Sequence, residues 1–288
     1  MSAPRKHDSH IRQILGDRIS LDCGGEGEAA LVFLHGGGAG RSDWRRQLEH
    51  FAPRFQVLAC DLPGHGESTT PEPEEHASIE HLAASMVELT RRLGRPRNVL
   101  IGHSMGCWVA LEAYRQHPAA VAGLVLIECT RFPEGAARER LLQGIREAGG
   151  KNVLLAQYRN MFLPETAPER VAACIERVAA LSGPFIERLI MSTIEWDRAH
   201  MAKTLRSLQV PVLILQSTHV DDAGIRRPLL LAHESLWIQL VTSHARNVDV
   251  EIIGHAGHFP HLDQPEIVNA AIEHFTRRIF PPQAYSGP

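Results

Sequence analysis

The chain has 288 residues, 44% of them hydrophobic and 22% charged, and a formal net charge of −3. This length accommodates one large domain with a sizeable core. A charge so close to neutral disfavours nucleic acid and anionic membranes as partners, and no apolar run is long enough to span a bilayer.

Two further features of the sequence bear on its compartment. Residues 1–8 are polar and lack the apolar core of a signal peptide. The five cysteines are scattered and odd in number, which favours reduced, buried residues over a disulfide framework. We therefore expect a cytoplasmic protein.

The first hundred residues alternate strand and helix patterns. Residues 30–34 are a buried-strand pattern that runs into His35-Gly36-Gly37-Gly38-Ala39-Gly40, and residues 57–60 form another apolar run. Residues 78–93 carry apolar side chains at helical spacing, and Gly94 ends that stripe. Glycines at a strand exit let backbone N–H groups approach a ligand oxygen closely, which is what an oxyanion hole requires.

The strongest single feature is a serine between a strand and a helix. The apolar run 98–101 leads into Gly102-His103-Ser104-Met105-Gly106, and residues 105–111 continue as a helix pattern. Small residues on both sides hold Ser104 in a strained, exposed turn whose hydroxyl faces the amide dipoles of the helix. A serine hydroxyl is a weak nucleophile without an adjacent base, so this turn predicts a basic partner elsewhere in the chain.

The second half of the chain supplies a candidate base. Residues 122–127 and 210–215 predict strands, and the stretch between them has helical periodicity. The run 250–253 leads into Gly254-His255-Ala256-Gly257-His258, and a last helix is predicted over 266–275. His258 is the candidate base because it alone follows the last strand in a Gly-x-x-Gly-His frame.

Two neighbouring histidines, His255 and His261, raise the alternative of a zinc site. Histidines on one short loop without a nearby cysteine pair suit structural zinc poorly. We expect no metal and no other cofactor.

These segments, in this chain order, resemble the α/β-hydrolase family over about residues 18–280. The block Asp61-Leu62-Pro63-Gly64-His65-Gly66-Glu67-Ser68 after the strand 57–60 is also typical of that family. The resemblance implies an α/β-hydrolase fold: a mostly parallel eight-stranded sheet, helices on both faces, and a helical cap inserted after the sixth strand. Residues 1–130 and 209–288 would form the core, and residues 131–208 the cap.

The same resemblance implies the oxyanion donors and the cavity. The donors would be the amides of Met105 and Gly37, with Gly38 as the neighbouring alternative. Above Ser104 we expect a largely apolar cavity to which the cap contributes, although most cap residues individually are expected to pack cap helices together. The apolar cap candidates are Leu154, Leu155, Tyr158, Met161, Phe162, Leu163, Phe185, Leu189, Met191 and Trp196.

The sequence offers three candidates for the carboxylate that orients the histidine. Most relatives place an aspartate shortly after the strand that follows the cap, where this chain has a displaced frame containing Asp221 and Asp222. Glu128, at the end of the strand after the nucleophile helix, occupies a position that some relatives use, including a group of haloalkane dehalogenases. The resemblance to that group extends to Arg131, and we favour Glu128 over Asp221 and Asp222.

The resulting hypothesis is a serine hydrolase that cleaves an ester, lactone or related acyl bond of a small-molecule substrate, with homo-oligomerisation left open. A carbon–carbon bond hydrolase for ring-cleavage products is the alternative, because residues 34–40 look like the oxyanion loop of that group. Against it, those enzymes usually carry asparagine and tryptophan where this chain has His103 and Phe259. A non-catalytic ligand-binding receptor on the same fold is the alternative of another class. A dehalogenase is disfavoured, since those enzymes place an aspartate where this chain has Ser104.

Overall fold

A central sheet organises the molecule, which is described by a computed structural model over residues 8–72, 76–221 and 225–281. Within those ranges the main sheet has eight strands in the order β1-β2-β4-β3-β5-β6-β7-β10. Strand β2 is antiparallel to both β1 and β4, and the other neighbours are parallel. The strands are β1 Asp8–Ile14, β2 Asp17–Gly24, β3 Ala30–Leu34, β4 Gln56–Cys60, β5 Asn98–His103, β6 Val121–Ile127, β7 Val212–Gln216 and β10 Val248–Ile252.

Helices cover both faces of this sheet. Alternate residues of the central strands point to opposite sides, so Val32 and Leu100 pack with one buried cluster while Phe33 and Ile101 pack with another. The predicted mostly parallel sheet with helices on both faces is confirmed. The helices are α1 Arg45–Phe51, α2 Ile79–Leu93, α3 Met105–Gln116, α4 Gly135–Ala148, α5 Gly150–Tyr158, α6 Pro168–Ala180, α7 Gly183–Ser207, α8 Leu236–His244, α9 Pro260–Asp263 and α10 Pro265–Ile279.

Local sequence signals account for several of these boundaries. The Ser78 side chain accepts a hydrogen bond from the His81 N–H at 3.1 Å and starts α2, and Gly94 ends it at φ 67°. Helix α10 continues past the predicted end at residue 275, because Thr276 and Ile279 still face the core. None of the described helices is long and apolar enough to cross a membrane.

The chain between β6 and β7 forms helices α4 to α7. That is where the cap was predicted, and the division into residues 1–130, 131–208 and 209–288 stays a prediction. A short hairpin after β7, formed by β8 Thr218–Val220 and β9 Arg226–Pro228, was not predicted. Strands of such length carry too few residues for a period to be read.

Close contact between α3 and β3 generates a stability prediction. A Cβ at Gly106 would lie 2.2 Å from the Leu34 carbonyl oxygen, so the helix and strand backbones must separate to admit it. We expect Gly106→Ala to lower the free energy of unfolding by about 1–3 kcal/mol in chemical denaturation. Gly144→Ala is the matched control, since its Cβ would meet nothing within 4 Å in the middle of α4. The control should be more stable than the parent by about 0.5–1 kcal/mol. Equal effects of the two changes would contradict the close-contact argument.

Candidate active site

Ser104 lies in the sharp turn between β5 and α3. Its backbone has φ 49° and ψ −118°, a region that non-glycine residues seldom occupy, and its N–H donates to the Ile127 carbonyl at 2.9 Å. A Cβ at Gly102 would lie 2.4 Å from the Gly106 carbonyl oxygen, so the turn closes this tightly only with a glycine at position 102. The strand pairing and the helix therefore hold a strained backbone at Ser104.

Ser104 opens onto a cavity of about 950 Å³, whose wall also contains Gly36, Gly37, Met105 and His258. This volume is within the range of small-molecule sites. Apolar side chains from the segment between β6 and β7 form much of the cavity lining: Phe132, Leu141, Val153, Leu154, Met161, Ile186, Leu189 and Ile190.

The predicted apolar cap residues divide into those that line the cavity and those that do not. Leu154, Tyr158, Met161 and Leu189 line it. The other candidates do not line it, and several of them pack elsewhere: Phe185 and Trp196 are buried in the main core, and Leu155 and Phe162 pack against the cluster that contains Phe259. The members that do not line the cavity are Leu155, Phe162, Leu163, Phe185, Met191 and Trp196.

His258 is paired with Glu128. The Nδ1 of His258 lies 2.9 Å from Oε2 of Glu128, and both side chains are almost completely buried. Because a carboxylate only accepts hydrogen bonds, Nδ1 carries the proton and Nε2 of the neutral ring is left unprotonated. This is the tautomer that a general base needs.

The Glu128 carboxylate is surrounded by hydrogen-bond donors. Oε1 accepts the N–H groups of Ser217 at 2.6 Å and Thr218 at 2.7 Å, and Oε2 accepts the Thr218 hydroxyl at 2.5 Å and the Arg226 guanidinium at 3.1 Å. Burial raises the pKa of Glu128, but hydrogen bonding to His258, the charge of Arg226 and the Thr218 hydroxyl outweigh it and lower the pKa to about 2. Glu128 is thus an anion at neutral pH although it is fully buried.

His258 is held neutral by its surroundings. Burial lowers its pKa first, and the positive charge of Arg226 lowers it further, while Glu128 raises it, with a resulting pKa of about 4. Its backbone is fixed from three sides: its N–H donates to the Met161 carbonyl at 2.8 Å, its carbonyl accepts from His103 Nε2 at 2.7 Å, and Ser217 Oγ lies 2.7 Å from the Gly257 carbonyl. These hydrogen bonds therefore fix the position of the imidazole.

Asp221 lies on the hairpin and pairs with the hairpin itself. Its Oδ1 accepts the Ile225 N–H at 2.8 Å and its Oδ2 lies 3.0 Å from Arg227 Nε, although the residue also borders the cavity. Asp222 lies outside the described residues. The structure brings Glu128, and not Asp221, to His258. The catalytic role of either acid stays a prediction.

The glycine loop after β3 is oriented by His35. Its Nδ1 donates to the Gly36 carbonyl at 2.7 Å, and its Nε2 accepts the Leu62 N–H at 2.9 Å, so the ring is neutral; burial lowers its pKa to about 4. In a trans peptide the N–H points opposite to the carbonyl. Since the Gly36 carbonyl points to His35, the Gly37 N–H points away from it, and Gly37 lines the cavity.

Gly38 faces a different direction. A Cβ there would lie 2.5 Å from Val178, and the Tyr158 hydroxyl donates to the Gly37 carbonyl at 2.6 Å, which fixes the peptide between the two glycines. Gly37 and Met105 both border the cavity beside Ser104, whereas Gly38 does not line it. Within the described chain, neither the Gly37 nor the Met105 N–H donates to a backbone oxygen of a turn, loop or cap. The assignment of these amides as oxyanion donors stays a prediction.

His255 and His261, the two histidines on either side of His258 in the sequence, lie in different environments. His255 is exposed, and His261 is buried with its ring stacked on Trp44 at 4.3 Å between centroids. In the ranges that the structure describes, no group of three or more His, Cys, Asp or Glu side chains is arranged to hold a metal ion. Arg131, singled out with Glu128 in the sequence, pairs with Glu134 instead.

Sequence reasoning missed Arg226, Thr218 and Met161. Arg226 is buried against Glu128 and borders the cavity, and Met161 contributes only its backbone carbonyl to the His258 loop. No sequence signal identifies a carbonyl contact. The one available signal for Arg226 was that the segment between Asp221 and His258, which contains it, is longer than is usual in the family.

Comparison with known proteins agrees with this architecture. The profile described as "Alpha/beta hydrolase family" matches residues 31–271. The chain therefore belongs to the alpha/beta hydrolase family.

Curated relatives are distant. A protein of Pseudomonas putida described as "Dihydrolipoyllysine-residue acetyltransferase component of acetoin cleaving system" is 29% identical over 266 residues, covering 90% of this chain and 66% of that protein. The 1-acylglycerol-3-phosphate O-acyltransferase ABHD5 of Homo sapiens is 26% identical over 276 residues, covering 84% of this chain and 76% of that protein. The chain thus spans about two thirds to three quarters of the length of these relatives.

Solved structures share the fold. An N-acyl homoserine lactonase, AidH, complexed as a mutant with N-hexanoyl homoserine superposes with a TM-score of 0.76 at 21% identity, over 97% of this chain and 100% of that one. A thermophilic esterase from Thermogutta terrifontis superposes with a TM-score of 0.75 at 22% identity, over 94% and 99% of the two chains.

Replacing each candidate carboxylate by its amide tests which of the two orients His258. Glu128→Gln keeps the shape of the side chain but lets the amide donate, which favours the wrong histidine tautomer, and we expect ester turnover to fall by about four powers of ten. Asp221→Asn removes the charge that pairs with Arg227 in the hairpin, and kcat should stay within about threefold of the parent. The measurement is kcat and kcat/KM on short p-nitrophenyl esters. A dead Asp221→Asn variant beside a nearly normal Glu128→Gln variant would reverse the assignment.

Proposed function

We propose that this protein is a serine hydrolase that cleaves an ester, lactone or related acyl bond through an acyl-enzyme. The observation that carries the proposal is the common cavity of Ser104, in its strained strand-to-helix turn, and His258, whose Nδ1 is bound by the buried Glu128 carboxylate. A nucleophile, a base and a group that orients the base are the minimum for this chemistry.

In the first half of the reaction, Ser104 Oγ attacks the acyl carbon as its proton passes to Nε2 of His258. The tetrahedral oxyanion accepts hydrogen bonds from the amides of Gly37 and Met105. As the intermediate collapses, the bond to the leaving oxygen breaks and His258 returns the proton to that oxygen. The Ser104 ester remains, and the alcohol leaves.

In the second half, water replaces the alcohol. His258 takes a proton from water as its oxygen attacks the Ser104 ester, and the same amides hold the second oxyanion. The acid is released when the proton returns to Ser104 Oγ. No cofactor takes part in either half.

The proposal that the scissile bond is an acyl bond rests on the lining of the cavity and on the similar solved structures. The apolar side chains that line the cavity suit an acyl chain or another apolar substituent. The lactonase and the esterase among the solved structures act on bonds of this class by their titles, which favours this reading over carbon–carbon cleavage. The receptor alternative is disfavoured because the histidine and its carboxylate partner are both in place.

Loss of the nucleophile is the direct test. Ser104→Ala should lower turnover of p-nitrophenyl esters by several powers of ten with an unchanged circular dichroism spectrum, because the base then has no hydroxyl to activate. A fluorophosphonate probe should label the parent and not this variant. Ser243→Ala, an exposed serine on α8, is the matched control and should label normally. Full turnover or labelling of a folded Ser104→Ala variant would refute the proposal.

The pH profile follows from the state of His258. The imidazole must be neutral to accept a proton, and its pKa is lowered to about 4 by burial and by Arg226, so kcat/KM rises through about pH 4 and is level above about pH 5. An ordinary histidine would instead place this acid limb near about 6.5. The measurement is kcat/KM for an uncharged ester against pH, with circular dichroism at each pH to show that the chain is folded. An acid limb at or above about 6.5 would contradict the described environment of His258.

A further inference from the structure

An arginine contacts the same carboxylate oxygen as the histidine. Nη1 of Arg226 lies 3.1 Å from Glu128 Oε2, the oxygen that also binds His258 Nδ1 at 2.9 Å. The same Nη1 donates to the Thr218 hydroxyl at 2.7 Å, and that hydroxyl donates to Oε2 at 2.5 Å. The Arg226 side chain is only 13% exposed and that of Glu128 is 0% exposed.

This arrangement is built by the hairpin after β7. Val220 pairs with Arg226 across β8 and β9, so the strand that begins at Thr218 returns beside Glu128 and brings a guanidinium with it. The Leu229 N–H donates to the Ser217 carbonyl at 2.9 Å and closes the base of the hairpin. The Glu128 carboxylate is thus held at once by Ser217, which follows β7, by Thr218 of β8 and by Arg226 of β9.

The charge of Arg226 acts on both partners of the pair. A buried carboxylate is stabilised as an anion by a contacting cation, whereas a buried imidazole beside that cation is disfavoured in its protonated form. Arg226 therefore favours the ionisation states, Glu128 charged and His258 neutral, in which the base is ready to accept a proton.

Other titratable groups do not supply a competing charge. His103 from the end of β5 and His261 from α9 also flank His258, and burial lowers the pKa of each, to about 3 for His261. Arg170 from α6 pairs with Asp263, whose other oxygen accepts the Gly257 N–H. Among the described groups that act on the His258 charge, Arg226 and Glu128 are the principal ones.

We propose that Arg226 is a positioning residue that fixes the Glu128 carboxylate on His258 and keeps the imidazole neutral, so that the base remains usable in mildly acidic solution. This inference rests on the proposed serine hydrolase function. It assigns a role to the hairpin that follows β7. It also predicts that loss of the Arg226 charge moves the acid limb of the pH profile much more than it lowers kcat/KM on the plateau at higher pH.

The test compares three arginine variants by kcat/KM against pH. Arg226→Met removes the charge, and its acid limb should move up by at least about one pH unit, with about fivefold or greater loss near about pH 4 and a much smaller loss near about pH 8. Arg226→Lys keeps the charge, and its acid limb should stay near that of the parent. Arg227→Met is the matched control, since Arg227 is the adjacent hairpin arginine and pairs with Asp221 at 3.0 Å. Its acid limb should not move.

A loss that is equal at every pH, or an acid limb that Arg226→Met leaves in place, would overturn the proposal. Equal acid limbs in Arg226→Met and Arg226→Lys would also overturn it, because the positive charge would then not be what keeps the imidazole neutral.

A direct titration separates this inference from the proposed function. The His258 ring resonance, identified by its loss in His258→Gln, is followed by NMR against pH and needs no turnover. We expect a midpoint well below about 6.5 in the parent and a higher one in Arg226→Met. If the fluorophosphonate probe labels Ser104 but the His258 titration midpoint is the same in the parent and in Arg226→Met, only the role of Arg226 is refuted. If the midpoint moves but the probe does not label Ser104, only the hydrolase function is refuted. Should Arg226→Met fail to fold, a parent midpoint at or above about 6.5 would still overturn the inference.

Discussion

The buried contact between Glu128 and His258 is the interaction on which the site depends. A carboxylate placed in a protein interior is strongly destabilising unless donors surround it. Here the donors come from Ser217, Thr218 and Arg226 as well as from the imidazole. The positions of β6, β7 and the hairpin are therefore constrained together, because moving any of them leaves a buried charge without its partners.

This contact also shows how a carboxylate from the end of β6 reaches His258. The residues that follow β7, Ser217 and Thr218, present two N–H groups and the Thr218 hydroxyl to this carboxylate from the neighbouring strand. Glu128 has φ 50°, so the backbone at the end of β6 is also turned out of its usual conformation to bring the side chain across. The longer glutamate chain then reaches the histidine.

The segment between β6 and β7 does more than cover the cavity. Its Met161 carbonyl holds the backbone of His258, and its Tyr158 hydroxyl holds the carbonyl of Gly37. One contact orients the base and the other orients the glycine loop. Because both contacts come from consecutive turns of chain around the end of α5, movement of this segment would disturb the base and the glycine loop together.

Much of the fold and part of the site could be predicted from sequence alone. The serine turn, the glycine loop and the histidine loop are contiguous segments whose backbone geometry is set by local glycines, so Ser104, Gly37 and His258 could be named from their motifs. Strands and helices can likewise be predicted from the spacing of apolar residues within short segments, and their alternation predicts a mostly parallel sheet. The choice among acids could not be made in this way, since Glu128 and Asp221 are each a plausible carboxylate at the end of a strand.

The tertiary structure brings one of these carboxylates to His258 for a physical reason. Glu128, Thr218, Arg226 and His258 are separated by as many as 130 positions along the chain, and only the packing of three strand ends brings their charges within hydrogen-bond distance. Arg226 reaches this point through a hairpin of short strands that carries no readable period. The sequence by itself therefore determined the family, the candidate nucleophile turn and the candidate base, because these are local. The carboxylate that contacts the histidine, its cationic partner and the contacts that fix them were decided by the fold, because electrostatic energy depends on distance in space.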